Sequence, residues 1–218
     1  QSRATRSTSK LMGLLSQEAK DAFANRQANA GSGSSRYLKT SELSEDGTRI
    51  TFLGDESHSI RGYGTFLERK GGGKMVKINT PEKLSLPELK ERANELGAVE
   101  PTQEQREFYA FTIYNYDAEA IQIFEFNQSG LITGIVEFIT DEDVEGHEEE
   151  YDMKLVRTKT GKDPRDVRYT ATPLASGKRK QASVKKKIEK AFDDLIDSGY
   201  DISELFNPDG DPFKPAVS

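Results

Sequence analysis

The stretch from residue 107 to residue 139 constrains the fold more than any other part of the chain. Two apolar runs, 107–116 (EFYAFTIYNY) and 120–126 (AIQIFEF), are separated only by Asp117-Ala118-Glu119, a connection of hairpin length. Directly after them, Leu131, Ile132, Ile135, Val136, Phe138 and Ile139 recur at i, i+1, i+4, i+5, i+7 and i+8. That spacing predicts a helix, with Ser129 as its N-cap. Upstream, residues 49–53 and 59–68 read as a further strand pair. In the second of these, Tyr63, Thr65 and Leu67 alternate with Gly62, Gly64 and Phe66. Its two interior glycines suggest the bend that a small closed barrel needs. Downstream, residues 151–157 and 167–173 form a last strand pair around a turn at 158–166. Residues 86–96, with Pro87 in a first turn and Gly97 past the end, read as a short helix inside an insertion. Two strands, an insertion, two strands, a helix and two strands predict a mostly β chain with some helix. The expected architecture is a Greek-key barrel of about five strands, with the helix between strands 3 and 4.

Flanking this unit, the composition changes. Only 34% of the 218 residues are hydrophobic and 31% are charged, which supports one modest core with appended segments. Residues 1–35 read as a flexible basic segment ending in Ala30-Gly31-Ser32-Gly33-Ser34-Ser35. Within it, Leu11, Met12, Leu14, Leu15, Ala19 and Phe23 could line a short helix. The folded domain is expected over 36–178, a basic amphipathic helix over 179–198 and an acidic flexible tail over 199–218. The helix would present Val184, Ile188, Phe192, Leu195 and Ile196. No run of about 18 apolar residues could span a membrane, and the first ten residues lack a signal-peptide core. Cysteine is absent, so disulfides, thiol nucleophiles and Cys-type zinc sites are excluded. A cytoplasmic location is expected.

The net charge of −6 conceals three blocks. Residues 141–153 hold eight acids and no base. Residues 154–190 hold thirteen bases against three acids, a net of +10. Residues 191–218 hold seven acids against Lys214 alone, a net of −6. Alternating blocks of this kind mark surfaces with different partners.

Catalysis is hard to build from these residues. The only histidines are His58 and His147, and the acids around His147 show no spaced metal-ligand pattern. Neither a phosphate loop, a dinucleotide fingerprint nor a nucleophile elbow is present. Gly71-Gly72-Gly73-Lys74 lacks phosphate-loop spacing and reads as a basic hairpin tip. No enzyme, cofactor or metal is expected.

Binding of single-stranded nucleic acid is easier to build, because it needs cations along the phosphates and aromatic rings under unpaired bases. Both residue types interleave along the strands. The first group is Arg61, Tyr63, Phe66, Lys70, Lys74 and Lys77. The central strands add Tyr109, Phe111, Tyr114 and Tyr116. The final hairpin adds Arg157, Lys159, Lys162, Arg165, Arg168 and Tyr169. Tyrosines suit a half-wet groove better than phenylalanines, since their hydroxyl tolerates water.

Residues 107–173 also resemble the single-stranded DNA-binding proteins of tailed bacteriophages, which have an OB fold. Asn115-Tyr116-Asp117, Tyr151-Asp152, Arg157, Gly161, Tyr169 and Pro173 carry the resemblance, and Arg36-Tyr37-Leu38-Lys39 adds to it. It implies an OB barrel that coats single-stranded DNA during replication, recombination or repair, in the host cytoplasm if the chain is viral. Asp209-Gly210-Asp211-Pro212-Phe213 is similar to the acidic tip by which bacterial single-stranded DNA-binding proteins recruit replication and repair proteins. Asp209, Asp211, Pro212 and Phe213 would then be a partner-binding tail. RNA as ligand, a homo-oligomer, and an OB-fold protein–protein adaptor without strong nucleic-acid affinity stay open.

Overall fold

The structure, a computed structural model, describes residues 36–73, 75–142, 144, 151–163, 165–174 and 181–214. The expected N-terminal helix, Lys74, His147 with its neighbouring acids, and the basic residues 178–180 lie outside them. Eight strands form one mixed sheet: β1 (Tyr37–Leu38), β2 (Thr48–Phe52), β3 (Ser59–Leu67), β4 (Val76–Thr80), β5 (Arg106–Asn115), β6 (Ala120–Phe126), β7 (Asp152–Lys159) and β8 (Val167–Leu174). Three α-helices accompany them among the described residues: α1 (Leu86–Glu95), α2 (Ser129–Ile139) and α3 (Ala182–Asp197).

Strand β5 organises the sheet. It pairs with β6 along the hairpin from Tyr109↔Phe126 to Asn115↔Ala120. On its other side β2 takes the C-terminal end, Ile50↔Asn115 to Phe52↔Ile113. β3 takes the N-terminal end, Ser59↔Phe111 to Gly64↔Arg106. The chain changes from β2 to β3 at a 3-10 turn, Glu56–His58, capped by the Asp55 side chain. β3 then runs on to pair with β4, and β2 pairs across to β7, which pairs with β8. The order is β1-β6-β5-β2-β7-β8, with β3 and β4 off this path.

Opposed residues in these antiparallel ladders share a face, so the register sorts the side chains. On the inner face, Ile50, Ile113, Phe124, Phe126, Met153 and Leu155 pack against Leu131, Ile135 and Phe138 of α2. Helix and strand approach closely because α2 carries glycine where it meets β8. A Cβ on Gly130 would lie 2.1 Å from the Tyr169 carbonyl oxygen, and one on Gly134 2.6 Å from that of Ala171. On the outer face, Phe108, Ala110 and Ile123 are covered by Tyr200, Ile202 and Leu205. Leu53 and Tyr114 are covered there by Ile188 of α3, flanked by Val184 and Phe192. A smaller core joins β4 to α1 through Val76, Ile78, Leu89 and Ala93.

Three features differ from the sequence reading. First, closure of a five-stranded barrel would need a ladder between β6 and β8, and none joins them among the described residues. The free side of β6 is taken by the short parallel strand β1, with Ile123 N–H donating to the Arg36 carbonyl. The glycines of α2 lie against the carbonyls of β8. Second, Gln128, not Ser129, stands at the N-cap of α2, and without a side-chain cap. Third, residues 200–214 lie on the outer face where a flexible tail was expected. Their acids are spaced by Tyr200, Ile202, Leu205, Phe206 and Phe213, which bury apolar surface on the sheet.

Candidate nucleic-acid interface

The inner face near the β3–β5 ladder carries a half-buried aromatic strip. Tyr109 and Phe111 each lie parallel to the buried Phe126 ring, with centroids 6.0 Å away. Phe52 of β2 extends the strip, 5.1 Å from Phe111. Tyr63 and Arg61 sit across the ladder from Glu107 and Tyr109 respectively. The Arg61 guanidinium lies 5.9 Å from the Tyr63 ring centroid and donates to Glu107 Oε1 at 2.5 Å. That charge-assisted bond raises the Arg61 pKa further, so the group stays cationic. Tyr109 also donates to Glu107, at 3.4 Å.

Farther along the same face, Arg157 is paired with Tyr169 across the β7–β8 ladder. Tyr169 packs against the inner core, and the Arg157 Nε is buried without a hydrogen-bond partner. Lys159, Lys162, Arg165 and Arg168 are exposed around the hairpin and form no ion pair with a described residue. A groove of about 670 Å³ runs beside them between β8 and the first turns of α2. Ser129, Thr133, Arg168 and Tyr169 are among its lining residues.

The remaining expected residues lie elsewhere. Phe66 and Lys77 are opposed on the outer face, where Lys77 pairs with Glu125 at 2.5 Å. The Lys70 ammonium donates to Asn94 at 2.6 Å and ties the β3 end to α1. Tyr114 is no stacking platform: it points outward, is only 3% exposed and lies under Ile188. Tyr116 donates to the buried Asp152 carboxylate at 2.9 Å, and Arg49 pairs with the same group at 2.6 Å. That cluster fixes β2, β5 and β7 together.

The tail residues are also engaged within the chain. Pro212 is buried. Phe213 contacts Tyr200 and Tyr37 with centroids 5.3 and 6.2 Å away, under the Arg36 guanidinium at 5.2 Å. Asp211 pairs with Arg36 at 2.9 Å, while Asp209 is exposed. His58 serves a turn: its Nδ1 lies 2.9 Å from Asp55, whose carboxyl is held down to about 2, first by hydrogen bonds from Ser57. Among the described residues no cluster of three or more His, Asp or Glu could hold a metal, and no helix is long and apolar enough to cross a membrane.

Sequence reasoning missed Phe52 and Glu107. Phe52 was visible as an aromatic at a strand end. Glu107 had no signal until the register set it opposite Tyr63.

No family model, no curated protein and no solved structure matches the chain.

Proposed function

We propose that the chain is a non-enzymatic, sequence-tolerant single-stranded DNA-binding protein built on an OB-type barrel. The observation that carries this reading is the inner-face strip of Tyr63, Tyr109, Phe111 and Phe52, half-buried and bordered by Arg61. Half-buried rings on a sheet suit base stacking, because each is anchored against the core on one side and can offer its other face to a base. The strand order supports the barrel. Numbering β2, β5, β6, β7 and β8 as one to five gives 3-2-1-4-5, with α2 between the third and fourth. That order and that helix position are compatible with an OB barrel left open along one seam.

In this mechanism unpaired bases stack on the strip while Arg61, Arg157 and the cations of the β7–β8 hairpin neutralise phosphates. Duplex DNA is rejected because its bases are already stacked and cannot reach the rings. The resemblance to phage single-stranded DNA-binding proteins points the same way, toward a role in replication or recombination.

The test is fluorescence polarisation of the full chain with labelled oligo(dT), oligo(rU) and a matched duplex at two salt concentrations. Tight binding to the single strand is expected, with a log–log salt slope of about −0.7 per phosphate contacted. Equal affinity for duplex, or indifference to salt, overturns the reading. The ratio of dT to rU affinity separates DNA from RNA.

A further inference from the structure

Behind the strip, the outer face holds an aromatic with no evident packing role. Phe66 is 60% exposed, the most exposed large hydrophobic residue among those described. Beside it a pocket of about 260 Å³ opens between β3, β4 and the adjoining ends of β5 and β6. Phe108 forms one wall, and Gln103, Arg106 and Asn127 contribute polar groups. The Lys77 ammonium sits 5.5 Å from the Phe66 centroid and 5.8 Å from that of Phe108, held there by Glu125. Gly64 lines the pocket without filling it, and a Cβ there would come within 2.4 Å of Asn79 Oδ1.

We propose that this pocket is a second nucleic-acid site, which takes one unpaired nucleobase stacked on Phe66 with its phosphate toward Arg106. Size argues for a single base, since drug-sized ligands occupy pockets from about 300 Å³ upward. Shape argues for a flat ring, because a phenyl ring left 60% exposed gives a planar surface on which a base can stack beside the Lys77 cation. The lining argues for a ring bearing donors and acceptors, since the Gln103 and Asn127 amides can supply both. An extended peptide fits poorly along β3, which is paired on both sides at Gly64, with Asn79 and with Arg106. The two carboxylates that line the pocket are each paired with a lysine at 2.5 Å, Glu125 with Lys77 and Glu104 with Lys83, which offsets their repulsion of a phosphate. Arg106 forms no ion pair with a described residue. It begins β5, next to Glu107 of the inner strip. A strand lying on Tyr63 could therefore turn over the end of the sheet at Arg106, and this connection alone rests on the inner-strip reading.

The test is NMR of the full chain titrated with deoxyadenosine monophosphate, with inorganic phosphate as control, for the wild type, Phe66→Ala and Tyr63→Ala. Saturable shifts are expected at the amides of Gly64, Phe66, Gln103 and Asn127, with phosphate alone failing to reproduce them. Phe66→Ala, at an exposed site, should keep the fold and weaken the nucleotide at least about fivefold, the loss of one stacked base. Tyr63→Ala should leave these shifts intact. Absence of the shifts, full reproduction by phosphate, or an unchanged affinity in Phe66→Ala overturns the proposal. If oligo(dT) fails to bind while the nucleotide shifts persist, the inner strip falls and the pocket stands.

Discussion

Arg61 Nε lies 2.5 Å from Glu107 Oε1, and this pair sets a carboxylate inside a surface otherwise suited to a polyanion. Arg61 is thereby aimed along the Tyr63 ring, at the cost of cancelling its charge. The pair is open to water, so its contribution to folding is small. Its larger effect is on phosphate binding. Glu107→Gln keeps the side-chain volume and releases the cation. Affinity for oligo(dT) should rise about two- to fivefold at low salt, with a steeper salt slope, since one more cation can displace counterions. Polarisation titrations check this, and unchanged affinity with an unchanged slope would remove Glu107 from the interface.

Stacking predicts a contrast among the tyrosines. Tyr63→Ala and Tyr109→Ala should each weaken oligo(dT) by about five- to 150-fold, the range for losing one stacked base. Tyr114→Leu, which removes the ring but keeps apolar bulk, should leave affinity unchanged, because the Tyr114 side chain lies under Ile188 on the opposite face. Binding isotherms for the three variants give the answer. Equal loss at Tyr114 would mean that bases approach from the outer face.

The contrast also marks what the sequence could reveal. Strand identity was legible around β5, β6 and α2, because period-2 and period-3.6 patterns survive in 107–139. The face of each aromatic was not. Tyr114 and Phe111, three apart in one strand, must lie on opposite sides, and only the β2–β5 and β3–β5 registers decide which of them faces inward. Phe66 and Tyr63 were grouped in one binding set although the same alternation puts them on opposite faces. The C-terminal segment was misread because its acids dominate composition, while Tyr200, Ile202 and Leu205 are too sparse to signal burial. β1, two residues long, is too short for any periodic signal.

Helix α2 provides a prediction on stability alone. Gly130→Ala places a methyl 2.1 Å from the Tyr169 carbonyl oxygen, which is backbone and cannot rotate away. Helix propensity favours alanine by about 1 kcal/mol, but the clash forces α2 off β8, and overpacking costs typically about 1–3 kcal/mol. A net loss is expected, with weaker oligo(dT) binding as Tyr169 shifts. Gly97→Ala meets nothing within 4 Å but sits at φ +64, so it separates backbone strain from steric clash. Chemical denaturation of both variants distinguishes them.

Tyr200 ties the C-terminal segment to the sheet through a bond whose direction can be worked out. Thr112 Oγ1 donates to the His58 carbonyl at 2.9 Å, which uses its single hydrogen. The 2.8 Å contact between Thr112 Oγ1 and Tyr200 is therefore donated by the phenol. Burial pushes the Tyr200 pKa up from 10.0 to about 12, with Tyr37 and Asp201 adding to the same effect. A raised folded-state pKa means the neutral phenol favours the fold fully below pH 10. That contribution is then lost as pH climbs through about 12. A rise from 10.0 to about 12 corresponds to about 2–3 kcal/mol. Denaturation between pH 9 and 12 should show stability falling in this window for the wild type. Tyr200→Phe should start lower, for want of the hydrogen bond, and fall less steeply. Parallel curves for the two proteins would show that Tyr200 does not govern the alkaline loss, and that its ring is not sealed against the sheet.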